Sequence, residues 1–123
     1  MHIYPINKDQ FLRHIYQATF FMTLLVIEFL ATATVGVESV ALGWDKLNHL
    51  FAFMVLYILF SLAFRDLSIV LKVLLLFAFG LQIEIVQSFL PPREFSSFDV
   101  AVDMVGIVLG VLVFPHVSNI AKK

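Results

Sequence analysis

Four long apolar segments, separated by short polar stretches, dominate the sequence. They run roughly over residues 15–37, 46–64, 69–90 and 98–114. A membrane-spanning helix needs about 20 predominantly apolar residues, and each segment is close to that length. The pattern therefore predicts an all-α polytopic membrane protein whose four transmembrane helices form a small bundle. We see no internal repeat or low-complexity tract, so we expect one domain over residues 1–123.

Proline and serine residues indicate where the predicted helices begin and end. Pro91 and Pro92 end the third helix, because proline cannot donate a backbone hydrogen bond and pushes the preceding residue out of helical geometry. Ser96 or Ser97 can cap the start of the fourth helix. We expect the fourth helix to end at Pro115 and the remaining tail to lie at the membrane interface.

The composition strengthens the membrane prediction. A soluble domain is usually about half apolar, whereas this chain is 61% hydrophobic and 14% charged, with a mean hydropathy of +0.97. The sequence has no run of basic residues that would indicate nucleic-acid binding. It also has no cysteine, which excludes disulfides and thiolate metal sites. The first apolar segment is too long for the apolar region of a signal peptide, so we expect no cleavage there.

The distribution of lysine and arginine predicts the orientation. With four spans, both termini lie on the same side as the loop between the second and third spans. The basic residues on that side are Lys8, Arg13, Arg65, Lys72, Lys122 and Lys123. Only Lys46 and Arg93 lie on the other side, so the positive-inside rule places both termini in the cytoplasm. We expect Lys72, in the first turns of the third span, to reach the interface by snorkelling.

Polar side chains recur on three of the predicted helices near the non-cytoplasmic side. The pairs are Asp45 with His49, Glu84 with Gln87, and Asp99 with Asp103. Because each pair is three or four residues apart, its members share one helix face. Ionisable groups inside a membrane avoid lipid and usually pair or line a wet cavity. We therefore predict one outward-facing polar pocket that contains these six residues and Arg93.

Some of these residues also have a structural explanation. Asp45 can cap the second helix, and Asp99 can favour the positive end of the fourth helix dipole. His49 taken alone is more often a packing residue than a ligand or a base. Glu84 and Asp103 are harder to explain in this way, because a carboxyl group below the interface needs a partner or must take up a proton.

Two further features predict packing rather than chemistry. Gly106 and Gly110 form a GxxxG pattern, which allows helices to approach closely. Glu28 lies within the first span, and we expect it to be an internal hydrogen-bonding residue.

These residues and spacings resemble the VanZ-like membrane protein family. The resemblance lies in the stretches DKLNHLFAF and GLQIEIVQSFLPPREFSSFDV and in the paired glycines, over about residues 45–110. The family pattern falls on Asp45, Lys46, His49, Glu84, Gln87, Arg93, Asp99, Gly106 and Gly110. The family usually has Asn at position 103, so Asp103 adds a negative charge to the pocket. The resemblance implies a bacterial plasma-membrane protein of the cell envelope, in a family with a link to glycopeptide resistance.

The first functional hypothesis is an enzyme-like site that acts on a lipid-linked or headgroup-bearing substrate. Glu84, His49, Asp45 and Asp99 are the candidate catalytic residues, as general acids or bases. The candidate ligand-binding residues are Arg93, Gln87, Lys46 and Asp103. Among these, Arg93 can hold an anionic group such as phosphate by bidentate hydrogen bonds.

A divalent metal ion is a candidate cofactor for the same pocket. Oxygen-rich sites suit magnesium, calcium or manganese, and an added imidazole admits zinc. The sequence contains no HExxH, GxSxG or P-loop motif, so it does not specify a reaction.

Two non-catalytic functions compete with the enzyme hypothesis. A binding protein could use the same pocket to recognise a membrane lipid, a lipid-linked envelope precursor or a glycopeptide. A structural module could use the polar network only to fix the helix arrangement. A transporter is disfavoured, because four short spans in one chain leave little room for alternating access.

Overall fold

Four α-helices make up the part of the chain that the computed structural model describes. Residues 7–32, 42–89 and 97–121 are described, with only the backbone given for 32, 42–46 and 121. The helices are α1 (Lys8–Thr32), α2 (Leu42–Ala63), α3 (Ile69–Ser88) and α4 (Ser97–Ala121). The predicted all-α bundle of four helices is confirmed.

Length and hydropathy match a membrane-embedded bundle. Three stretches are long and apolar enough to cross a membrane, namely Lys8–Ala31, Ile69–Ser88 and Ser97–Ile120. Within the described side chains of α2, the apolar stretch Leu47–Ala63 is shorter. Large apolar side chains cover the outside of the bundle, such as Phe29 of α1 and Leu112 of α4. A membrane supplies the apolar surroundings that such a surface requires.

Local hydrogen bonds explain where α1 and α3 begin. The backbone N–H of Gln10 donates to Asn7 Oδ1 over 2.8 Å, and the N–H of Asn7 donates to Gln10 Oε1 over 3.4 Å. This reciprocal pair is a capping box, and it starts α1 seven residues before the predicted span. At α3, Ser68 is the N-cap and its hydroxyl accepts from the N–H of Leu71 over 3.1 Å.

The prediction that the fourth helix ends at Pro115 is wrong, since α4 continues through Pro115 to Ala121. A proline inside a helix removes one hydrogen bond to the residue four positions earlier. Transmembrane helices tolerate this loss where neighbouring helices or local adjustments satisfy the freed carbonyl.

Close contact between α2 and α4 forms the largest helix–helix interface of the described residues. Gly106 and Gly110 both face α2 there. A Cβ atom on Gly106 would clash with the carbonyl oxygen of Leu50, and one on Gly110 would lie 2.8 Å from Tyr57 Cβ. The predicted packing role of the GxxxG pattern is confirmed.

The chain order determines which helix ends lie together. The start of α2, the end of α3 and the start of α4 lie at one end of the bundle, which we call the cluster end. The α2–α3 turn and the start of α1 lie at the opposite end, which we call the turn end. A layer of buried apolar residues of α2, α3 and α4 separates the two ends. It contains Phe53, Leu56, Leu76, Ile83 and Ile107.

Helix α1 packs mainly against α2, on the outside of this three-helix core. Phe20 is its one buried large apolar residue within the described range, and its ring stacks on Phe60 at a centroid distance of 4.7 Å. Gln17 adds a polar link, since its Nε2 donates to the carbonyl of Ala63 over 3.1 Å.

Candidate functional site

Four ionisable side chains from three helices meet at the cluster end. We call His49 of α2, Glu84 of α3 and Asp99 and Asp103 of α4 the carboxylate–histidine cluster. Glu84, Asp99 and Asp103 are buried, and His49 is partly buried. The spacings proposed from the sequence explain the convergence, because Asp99 and Asp103 are one turn apart and face α2 and α3 together.

A close contact within the cluster joins His49 to Asp103. His49 Nδ1 and Asp103 Oδ1 are 2.9 Å apart, and only 3% of the Asp103 side chain is exposed. When Asp103 is ionised, its carboxylate only accepts, and the imidazole donates its Nδ1–H in this bond. The bond therefore directs the second ring nitrogen, Nε2, away from Asp103.

Glu84 and Asp99 approach the same imidazole. One nitrogen of His49 and one carboxylate oxygen each from Glu84 and Asp99 all lie within 4.8 Å of one another. The Glu84 side chain is fully buried, with no exposed fraction. Three side chains that can hold protons or ligate a metal thus lie close enough together to contact one small ligand.

Gly80 makes room for Asp103. A Cβ atom at this position of α3 would lie 2.9 Å from Asp103 Oδ2 and 3.1 Å from Phe53 Cζ. Any larger residue would therefore press on the carboxylate that holds His49. The sequence analysis did not assign Gly80 a role, although a glycine inside an apolar span, four residues before a glutamate, is a signal for such an approach.

Gln87 forms a hydrogen bond to a different helix. Its Nε2 donates to the carbonyl oxygen of Ala31 over 2.7 Å, which ties the end of α3 to the end of α1. Glu28 behaves as the sequence suggested, since Glu28 Oε1 accepts from Gln82 Nε2 over 2.7 Å. Both bonds connect α1 to α3, and the ligand-binding role of Gln87 stays a prediction.

Three of the predicted site residues cannot be placed against the cluster. Asp45 and Lys46 belong to the first turns of α2, where the structure describes only the backbone. Arg93 lies outside the described residues. Their proximity to His49 and Asp99 stays a prediction from the chain order, and so does the opening of the pocket to the outside.

A second buried polar site lies towards the turn end, and the sequence analysis missed it. Lys72 is 5% exposed, and its ammonium donates to Ser61 Oγ over 2.7 Å. The same nitrogen lies 5.1 Å from the ring centre of Tyr57 and 5.6 Å from that of Phe114. We call these four residues the Lys72 site. The expectation that Lys72 snorkels to the interface is wrong, because its side chain points into the bundle.

A cleft of about 770 Å³ lies at the turn end, between the start of α1 and the α2–α3 turn. It contains charges of both signs, from Lys8, Asp9, Arg13, Arg65 and Asp66. The cleft is on the opposite end of the bundle from the carboxylate–histidine cluster. The four convergent groups therefore define the candidate site by their chemistry and not by an open cavity among the described residues.

Comparison with known proteins identifies the family. The model of the VanZ/LLP1 family matches residues 3–119, which is nearly the whole chain. The chain belongs to the VanZ/LLP1 family. The match confirms the resemblance drawn from the sequence and, with the apolar helices, makes this VanZ/LLP1 protein a membrane protein. Neither the search of curated proteins nor that of solved structures gives a match.

Proposed function

We propose that this VanZ/LLP1 protein binds the phosphate-bearing headgroup of a lipid-linked cell-envelope ligand at its cluster end. The observation that carries the proposal is the convergence of four buried or partly buried ionisable groups from three apolar helices. Charged groups inside a membrane protein are costly, and they mark ligand or ion sites more often than ordinary packing.

Depth and chemistry both suit a headgroup. The cluster lies near the helix ends, within about two turns of the start of α4, so a lipid can present its polar group there while its chains stay in the bilayer. Asp103 can hold His49 in its charged form, and an imidazolium donates hydrogen bonds to phosphate oxygens. Arg93 and Lys46 follow from the chain order as additional cations at this end.

The proposal includes an orientation. The excess of lysine and arginine at the turn end supports cytoplasmic termini in a bacterial plasma membrane, with the cluster end on the outer side. The chain has no cysteine, so a single Asp66→Cys substitution in the α2–α3 turn gives one thiol to label. We expect a membrane-impermeant maleimide to label it only after the cells are permeabilised, and labelling of intact cells would reverse the orientation.

Intrinsic fluorescence can test ligand binding. Trp44 is the only tryptophan and lies five residues before His49 in α2, so its emission reports on the cluster end. We would titrate the full chain in nanodiscs of zwitterionic lipid with a polyprenyl phosphate and, separately, with the matching polyprenol. We expect saturable binding of the phosphate and at least about tenfold weaker binding of the alcohol, because charge-assisted hydrogen bonds contribute about 1.5–3 kcal/mol.

Matched variants link the binding to the cluster. Glu84→Gln is expected to change the affinity for the polyprenyl phosphate, because it alters the charge beside His49, whereas Glu28→Gln makes the same chemical change in α1 and should leave the affinity unchanged. Equal affinity of the wild type for polyprenyl phosphate and polyprenol would refute the proposal. Equal affinity of Glu84→Gln and Glu28→Gln for the polyprenyl phosphate would refute it as well. Release of inorganic phosphate by the wild type, lost in Glu84→Gln, would distinguish an enzyme from a binding protein.

A structural module is the second candidate function, and specific contacts favour it. The bonds of Gln87 to Ala31 and of Gln82 to Glu28 tie helices together without any ligand. If Glu84→Gln lowers the unfolding temperature by several degrees while the protein binds neither lipid probe, this second function is the correct one.

A further inference from the structure

We propose that His49, Glu84 and Asp99 bind one divalent transition-metal ion, zinc or manganese, and that Asp103 orients the histidine ligand. The metal site deepens the proposed function, because an ion held by neutral His49 would replace the imidazolium as the positive charge that a phosphate group needs in a cluster of carboxylates. It rests on the geometry of the cluster and can be tested without any lipid ligand.

The distances fit a shared ion after a small adjustment. Zinc lies about 2.0–2.2 Å from nitrogen and carboxylate oxygen ligands, so two ligands of a tetrahedral site are about 3.3–3.6 Å apart. The three candidate ligand atoms lie within 4.8 Å of one another. The remaining difference is at most about 1.5 Å, and we expect rotation of the three side chains to close it when the ion binds.

The type and number of ligands favour zinc or manganese. One imidazole and two carboxylates make three protein ligands, which is the usual number for a zinc site that keeps a position open for water or a bound ligand. Imidazole favours transition metals, whereas calcium prefers six to eight oxygen ligands and magnesium an octahedral shell that includes several waters. Burial of Glu84 and Asp99 favours a bound cation of any kind, since a cation relieves the repulsion between two neighbouring carboxylates.

Asp103 has the position of an outer-shell partner. Metal-binding histidines usually donate the second ring N–H to a carboxylate or carbonyl, which fixes the tautomer and the ring orientation. The 2.9 Å contact between His49 Nδ1 and Asp103 Oδ1 has this form, and it leaves Nε2 for the metal. Gly80 leaves space for the second oxygen of Asp103, so α3 supports the same arrangement.

Metal binding to the full chain tests the inference. The protein, in nanodiscs of zwitterionic lipid, would be stripped with a chelator and dialysed against Zn²⁺, Mn²⁺, Mg²⁺ or Ca²⁺ separately, and bound metal would be counted by mass spectrometry. We expect one zinc or manganese ion per chain, with clearly weaker magnesium and calcium binding. Equal affinity for all four ions, or no stoichiometric binding of zinc or manganese, would overturn the assignment.

Four variants separate the roles of the residues. Glu84→Gln and Asp99→Asn each remove a ligand, so both should weaken binding by more than the 10- to 100-fold that outer-shell changes typically cost. Asp103→Asn should weaken it by about 10- to 100-fold and keep the stoichiometry of one. Glu28→Gln is the matched control and should bind like the wild type. If Glu84→Gln and Glu28→Gln bind equally well, the proposed ligand set is wrong.

X-ray absorption on the wild-type protein covers the case in which a variant does not fold. We expect one imidazole among nitrogen and oxygen ligands, and a spectrum without imidazole scattering would exclude His49 as a ligand. The outcomes for metal and lipid are distinguishable, because the dialysis contains no polyprenyl phosphate. If the protein binds metal but not polyprenyl phosphate, only the proposed function is refuted. If it takes up no metal and still binds polyprenyl phosphate after treatment with a chelator, only the metal site is refuted.

Discussion

The carboxylate–histidine cluster and the Lys72 site place ionisable groups between the same three helices, yet they differ in number and kind. The Lys72 site has one cation, one hydroxyl and two aromatic rings. The cluster has three carboxylates and one imidazole, with three candidate ligand atoms within 4.8 Å. One hydroxyl and the faces of two rings stabilise a single ammonium locally. Three neighbouring carboxylates repel one another when ionised, which is the physical basis for proposing a bound group there.

The comparison distinguishes polar residues that stabilise the helix packing from polar residues that form the candidate functional site. At the Lys72 site, each described polar group has a role in holding α3 against α2 and α4. At the cluster end, the bonds of Gln87 and Gln82 connect α3 to α1 and the close contact at Gly106 fixes α4 against α2, so helix registration does not require four more ionisable groups. We therefore expect changes at the Lys72 site to alter stability alone and changes at the cluster to alter binding.

The largest expected effect comes from Gly106→Ala, which disturbs the helix contact beside the cluster. The new Cβ would meet the carbonyl oxygen of Leu50, and backbone cannot move aside as a side chain can. We expect a loss of about 2–3 kcal/mol in the free energy of unfolding, at the upper end of overpacking effects. Reversible unfolding in mixed micelles, followed by circular dichroism, measures it.

Gly110→Ala is the matched variant beside the Lys72 site. Its Cβ would lie 2.8 Å from Tyr57 Cβ and 3.1 Å from the carbonyl oxygen of Met54, so the clash is less severe. We expect a smaller loss of stability than for Gly106→Ala, together with unchanged binding of metal and headgroup. A larger loss of stability for Gly110→Ala than for Gly106→Ala would contradict the close approach of α4 to α2 at Gly106.

The next effect concerns the bond between Lys72 and Ser61. Lys72→Met, Ser61→Ala and the double variant form a double-mutant cycle in which the coupling energy isolates this contact. We expect a coupling of about 1.5 kcal/mol or more, because hydrogen bonds to charged groups contribute about 1.5–3 kcal/mol. Metal and headgroup binding should stay within a factor of about two in all three variants, since these side chains are separated from the cluster by the apolar layer. A coupling energy near zero would show that the bond between Lys72 and Ser61 does not stabilise the fold.

A smaller change in stability is expected for Glu84→Gln, although its effect on binding is large. Glutamine has nearly the same shape, and a neutral amide costs less to bury than a carboxylate. We expect the free energy of unfolding to change by less than about 1 kcal/mol, in either direction. The same micelle unfolding experiment, run beside the binding titrations, shows whether stability and binding respond independently. A loss of stability as large as that of Gly106→Ala would indicate that Glu84 mainly holds the fold.

The smallest effect is expected for Glu28→Gln. A glutamine at this position keeps a carbonyl oxygen that can accept from Gln82 Nε2, so the link between α1 and α3 persists. We expect a change of less than about 0.5 kcal/mol in unfolding free energy and none in binding. A large loss of binding would extend the functional site into α1 and weaken the contrast between the two sites.

Much of the fold follows from local sequence patterns. The four apolar segments predicted the four helices, and the GxxxG pattern predicted a close helix contact. The boundary at Pro115 was wrong because a proline near a helix end costs only one backbone hydrogen bond, and the helix continues past it to Ala121. The early start of α1 was missed because the capping pair of Asn7 and Gln10 lies outside the apolar segment.

The candidate site could be assembled only in part from the sequence. The four-residue spacing of Asp99 and Asp103 correctly placed both on one helix face, and the chain order placed His49 and Glu84 at the same end. The same reasoning placed Gln87 in the pocket beside Glu84. In the structure, the amide nitrogen of Gln87 points towards α1 instead. The reasoning also could not tell that Lys72 lies inside the bundle.

The sequence alone thus establishes the membrane class, the number of helices, the paired polar faces and the family pattern, because these depend on composition and on spacing along one helix. The partner of each polar side chain depends on how each helix is rotated about its axis. That rotation follows from contacts between residues distant in the chain, such as Gly106 with Leu50 and Gly80 with Asp103. Tertiary packing therefore joins Asp103 to His49, directs Lys72 to Ser61, and separates the structural site from the candidate functional one.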